Sequence, residues 1–93
     1  MSPATEPVSV RILDREYTVG VDADGREALM AAARILDGKM REIRGANRMA
    51  AVDRVAVLAA LNLAHELQEL RAREAEIDRS LDALERKLDS LPG

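Results

Sequence analysis

The chain has 93 residues, 47% hydrophobic and 33% charged, with a net charge of −3; this suffices for one small domain and not for two independent cores. It holds 16 Ala and 12 Leu against a single aromatic residue, Tyr17, and no Cys, which excludes disulfides, zinc–thiolate sites and iron–sulfur clusters and leaves only a thin aliphatic core. No apolar run approaches the roughly 20 residues that span a bilayer, and residues 1–7 lack the apolar stretch of a signal peptide, so the expected setting is cytoplasmic with no membrane partner.

Residues 1–7 are polar, hold two of the three prolines and show no periodicity, so a disordered start is expected there. From Val8 the pattern has a period of two: Val8, Val10 and Ile12 alternate with polar residues, as do Tyr17, Val19 and Val21. This predicts two half-buried strands joined by a tight turn at Asp14-Arg15. Asp22 or Asp24 then offers an N-cap for a first helix, whose apolar positions Leu29, Ala33, Leu36, Met40 and Ile43 step by four and three along one face. Gly45 is placed to stop it. Residues 34–54 carry six bases and three acids, a local charge of +3, whereas residues 66–93 carry eight acids and five bases.

No Gly or Pro interrupts the chain from Ala46 to Pro92, which predicts one long second helix over about residues 50–90, on the order of 60 Å at ~1.5 Å per residue. Between Val52 and Ala64 it is apolar nearly all round, a pattern of burial on several sides. Beyond that the pattern narrows to a heptad seam, with Ala60, Leu67, Glu74, Leu81 and Leu88 at position a and Leu63, Leu70, Ile77, Leu84 and Leu91 at d. Glu74 is the one acidic member. In a parallel pair Glu66 would face Arg71 and Arg73 would face Asp78, which leans modestly toward that direction, although exposed pairs contribute little. The fold class expected is α+β: a small head of a two-stranded β-hairpin plus a short helix, followed by a long C-terminal coiled-coil helix. The domains expected are a disordered 1–7, a globular head over 8–64 and an oligomerisation segment over 65–93, with Leu63, Leu67, Leu70, Ile77, Leu81, Leu84 and Leu88 as the self-association surface.

Candidates for chemistry are few. His65, the only histidine, falls at an outward f position without a second ligand at metal-binding spacing, so a solvated helix residue is the reading and no metal is expected. Asp22 and Asp24 lack the remaining ligands of a calcium loop. No phosphate loop or nucleophile motif is present, and the expectation is a protein without enzyme activity or cofactor. A basic patch with aromatic platforms is missing as well, so nucleic acid is not an expected partner. Asn62 lies within an apolar run, where a buried amide needs a hydrogen bond, and it is expected to be a structural polar residue. Arg15, Arg44 and Arg48 are open to two readings, solvated charges or a binding surface.

The run Ala59-Ala60-Leu61-Asn62-Leu63-Ala64-His65-Glu66-Leu67, preceded by Asp53-Arg54-Val55-Ala56-Val57-Leu58 and by the opening Val8-Ser9-Val10-Arg11-Ile12-Leu13-Asp14-Arg15-Glu16-Tyr17, resembles the ZapA family of Z-ring-associated bacterial cell division proteins over residues 8 to about 70. The resemblance implies a non-enzymatic protein whose head recognises the division GTPase FtsZ at mid-cell, and whose coiled coil pairs heads into homodimers and antiparallel homotetramers. It also implies an FtsZ-facing surface that falls here on Arg15, Arg44, Arg48 and Asp53, three of which lie in the +3 stretch. The alternative is a coiled-coil dimeric adaptor or regulator of the same architecture with a different protein partner.

Overall fold

The computed structural model describes residues 5–92. The order of elements is β1 (Thr5–Ile12), β2 (Arg15–Asp22), a single 3-10 turn (Ala23–Gly25), α1 (Arg26–Ala46) and α2 (Val52–Asp89). The class is the α+β arrangement of hairpin, shorter helix and long C-terminal helix. By internal contacts the chain divides into two units, one ending at Ala60 and the other beginning at Leu61, whereas the sequence put the division after residue 64.

The strands pair antiparallel from Thr5↔Asp22 to Ile12↔Arg15. The expected disorder over residues 1–7 is therefore replaced at Thr5, Glu6 and Pro7 by strand, because each finds a partner on β2; residues 1–4 lie outside the described part. The turn also moves by one residue. It is Leu13-Asp14, with φ of 48° and 62°, and Arg15 is the first residue of β2. Positive φ at both central positions marks a type I′ turn, whose twist matches that of the flanking strands. A left-handed leucine costs roughly 1–2 kcal/mol. Its side chain is only 4% exposed, and burying a leucine returns roughly 1.5–3 kcal/mol, so burial wins.

Directly paired residues share a face of the sheet, which places Val8 and Val10 beside Val19 and Tyr17. The β1 half is the better covered. Val8 and Val10 pack with Ala33 of α1, joined by Leu29, Ile12 and Val21, while Tyr17 and Val19 stay exposed at 45% and 38%; the expectation of two half-buried strands is corrected for β2, where Val21 alone is partly buried. A second cluster joins Leu13, Met40, Val55 and Ala59, with Ile12, Leu36 and Ile43 packed against it. Ile12 belongs to both, so the hairpin end ties the two clusters into one core.

The helix boundaries depart from the sequence reading in two places. Neither Asp22 nor Asp24 caps α1: its N-cap is Gly25, and no side-chain cap hydrogen bond forms there or at Asp22 before the 3-10 turn. Gly45 lies inside α1, which ends at Ala46; the Asn47 N–H closes the last turn by donating to the carbonyls of Ile43 and Arg44. Along α2 only Val55 and Ala59 are buried. Val57, Leu58 and Leu61 are exposed, so the burial on several sides expected for residues 52–64 is burial on one side within a single chain.

Candidate functional site

Four segments contribute the candidate charges. Arg15 opens β2, Arg44 sits in the last turn of α1, Arg48 in the connection after it, and Asp53 in the first turn of α2. All four are exposed. Arg44 and Asp53 each complement the dipole of their own helix end, a local reason for their signs. Two open clefts collect the four side chains on the first unit. One, of about 460 Å³, is lined by Leu13, Arg41, Arg44, Gly45 and Arg48. The other, of about 440 Å³, places Arg15 and Asp53 around an apolar lining that includes Ile12, Tyr17, Leu36, Met40 and Val52. Leu13 of the turn borders the first cleft and its neighbour Ile12, the last residue of β1, borders the second. The structure brings Arg44 together with Arg48, and Arg15 together with Asp53.

The charges of this surface are not equally available. The Arg41 guanidinium donates from Nη2 to Asp14 Oδ1 at 3.0 Å and from Nε to Asp37 Oδ2 at 3.0 Å, and those two contacts raise its pKa above the ordinary arginine value, the Asp14 bond most. Asp37 in turn accepts the Leu13 backbone N–H at 2.8 Å on Oδ1. That amide, then Arg41, holds its carboxyl below the usual carboxylate range. Among the described residues no ion pair engages Arg15, Arg44, Arg48 or Asp53. Arg44 and Arg48 are therefore open positive charges, while Arg41, equal to them by composition, is already spent on two aspartates. The Asp14–Arg41–Asp37 group was missed by the sequence reading; the i, i+4 spacing of Asp37 and Arg41 is the only local trace of it.

The remaining candidates lie on α2. Asn62 is exposed within one chain, so its amide meets no internal demand for a partner. His65 Nε2 lies 2.8 Å from Glu69 Oε1, an i, i+4 pair on the open surface. From Leu67 the seam residues are uncovered: Leu67, Leu70, Ile77, Leu81, Leu84 and Leu88 are 47–61% exposed, and Leu63 is half-buried. Aliphatic side chains spaced along one stripe of a helix, with water on them, are what a facing helix covers. Among the described residues no group of three or more His, Cys, Asp or Glu is gathered as for a metal ion, and no helix is long and apolar enough to cross a membrane.

Comparison with known proteins follows the same outline. The family model described as "Cell division protein ZapA" matches residues 8–92. A protein of Pseudomonas aeruginosa PAO1 named cell division protein ZapA is 43% identical, with 87% of this chain and 86% of that protein covered. Among solved structures, one described as an unknown conserved bacterial protein from Pseudomonas aeruginosa PAO1 superposes with a TM-score of 0.72 at 44% identity, covering 88% of this chain and 90% of that one. A ZapA mutant dimer from Geobacillus stearothermophilus superposes with a TM-score of 0.66 at 28% identity, covering 87% and 93%.

Proposed function

The chain belongs to the ZapA family of cell division proteins, and from that premise we propose that it binds FtsZ filaments through Arg15, Arg44, Arg48 and Asp53 and cross-links them by associating with copies of itself. The observation that carries this is the set of exposed charges, without an ion-pair partner among the described residues, that line two clefts beside Ile12 and Leu13 and are drawn from four segments of the chain. Arg44 and Arg48 suit an acidic surface on the filament, since complementary charge steers encounter and fixes register. The solved relative described as a dimer supports pairing, and the uncovered seam from Leu67 to Leu91 supports a further coiled-coil step to a homotetramer. Several copies of a weak site on one particle turn modest single contacts into bundling by effective concentration. Recruitment to the division site in the cytoplasm follows from the partner.

Co-sedimentation with polymerised FtsZ, read together with light scattering, tests the reading. Arg44→Glu combined with Arg48→Glu should remove the chain from the pellet and abolish bundling, because two repulsive charges replace two attractive ones. The fold should survive, since both side chains are exposed. Wild-type bundling should also weaken from low salt to a few hundred millimolar, as the Debye length shrinks from about 10 Å at 0.1 M. A double variant that retains its circular dichroism, its oligomer mass and its bundling would move the site elsewhere.

A further inference from the structure

Neither central residue of the hairpin turn is glycine, yet both are left-handed, with φ of 48° at Leu13 and 62° at Asp14. That conformation persists only where surrounding contacts over-determine it. Here they come from the burial of Leu13 against Met40, Val55 and Ala59 and from two residues one turn apart on α1. The Leu13 N–H donates to Asp37 Oδ1 at 2.8 Å, Arg41 Nε donates to Asp37 Oδ2 at 3.0 Å, and Arg41 Nη2 donates to Asp14 Oδ1 at 3.0 Å. Both turn residues are thereby tied to the same helix, one through its backbone and one through its side chain. The next residue in the chain is Arg15.

We propose that Asp37 is a positioning residue for partner binding: through the Leu13 amide and Arg41 it holds the left-handed turn on α1, and so fixes where Arg15 stands relative to Arg44 and Arg48. This rests on the reading that these arginines face the filament. Arg44 and Arg48 follow Asp37 on α1 and its connection, whereas Arg15 reaches the same end of the head only by way of the turn. A turn free to relax toward other geometries would splay the strand that begins with Arg15. Binding would then have to order the turn as well as make the contact, which weakens affinity with no contact residue altered. The Asp37 carboxyl, kept ionised by the Leu13 amide and Arg41, retains both acceptor oxygens at neutral pH.

The test uses the full chain, wild type and variants, with nuclear magnetic resonance on the free protein and co-sedimentation with polymerised FtsZ. In Asp37→Ala the Leu13 amide should exchange at least about tenfold faster and the strong intraresidue amide-to-Hα signal of a left-handed residue should fade at Leu13 and Asp14. The affinity for filaments should drop by about tenfold, while helix content and oligomer mass stay as in the wild type. Adding Asp14→Gly should recover part of the turn and part of the affinity, because glycine adopts positive φ at position 14 without steric penalty while Leu13 stays without its carboxylate partner. The same glycine should not rescue Arg44→Glu, whose defect is in the contact. Should Asp37→Ala fold poorly, Asp37→Asn keeps the shape and an oxygen for Leu13 but loses the charge and the acceptor for Arg41 Nε, since its second group is an amide donor; it should lie between wild type and Asp37→Ala in both readouts. A variant at position 37 with unchanged turn signals, or one with a relaxed turn and wild-type affinity, overturns the proposal. A wild-type chain that fails to co-sediment overturns the filament reading itself, and the turn signals of Asp37→Ala then decide by themselves whether this carboxylate places Arg15.

Discussion

At the scale of single residues, Asp37 illustrates how a surface carboxylate acquires a role through partners 24 residues away in the chain. Its pKa is lowered in the folded state, first by the Leu13 amide and then by Arg41. A lowered folded value means that its stabilisation is present above the unfolded carboxylate value and is lost as pH falls through the folded one. Urea midpoints of wild type and Asp37→Asn should therefore differ most near neutral pH and converge below the ordinary carboxylate range; a gap that stays constant into acid would show that the charge on Asp37 is irrelevant. None of this was legible beforehand. Alternation ends at Ile12, so Leu13 reads as the strand's last residue and Asp14 as the start of the turn. Its true place is decided by a buried pocket of Met40, Val55 and Ala59 that only the folded chain contains. The arginines were readable as a basic stretch, but the neutralisation of Arg41 was not, because charge counting cannot tell a paired guanidinium from an open one.

Elements were far easier to read, since periodicity reports which face is buried whatever the details of the caps. Leu29, Ala33, Leu36, Met40 and Ile43 all reach the two clusters of the core, as their spacing required. The helix ends were misread for a specific reason: Gly45 resembles a stop, yet α1 runs through it and closes on Asn47 with backbone bonds alone. Gly38 is a better place to exploit that tolerance. It is exposed in the interior of α1, has no positive φ, and has nothing within 4 Å of the position a Cβ would take. Gly38→Ala should stabilise the helix by about 0.5–1 kcal/mol and raise Tm by a few degrees in a circular-dichroism melt; a fall would mean that another copy closes on α1 at that point. On α2 the corresponding substitution is Glu74→Leu, at the acidic position of the seam. Covering one more leucine is worth roughly 1.5–3 kcal/mol, so the assembled protein should melt higher, and an unchanged or lower Tm would mean that Glu74 meets a partner's positive charge or water.

For the whole molecule the proposed self-association rests on the uncovered seam from Leu67 to Leu91. The leucines could be read as a heptad from their spacing alone, but strand direction and copy number are properties of the facing helix, which a single sequence does not display. Truncation after Glu66 removes the stripe from Leu67 onward, and sedimentation at matched protein concentration should then report fewer copies per particle than for the full chain. A truncated chain that keeps the full chain's number of copies at low micromolar concentration would assign assembly to the head, where Tyr17 and Val57 also lie open. The hairpin, the 3-10 turn and α1 succeed one another directly in the chain, and this has a kinetic consequence. Hairpins close in about 1–10 μs and helices faster still, whereas subunit assembly takes milliseconds to minutes and depends on concentration. On the proposed pairing of copies, the seam leucines meet their partners last, in a second-order step. A cell that doubles its stock of this protein would then quicken the linking of heads and leave the pace at which each hairpin and α1 come together unchanged.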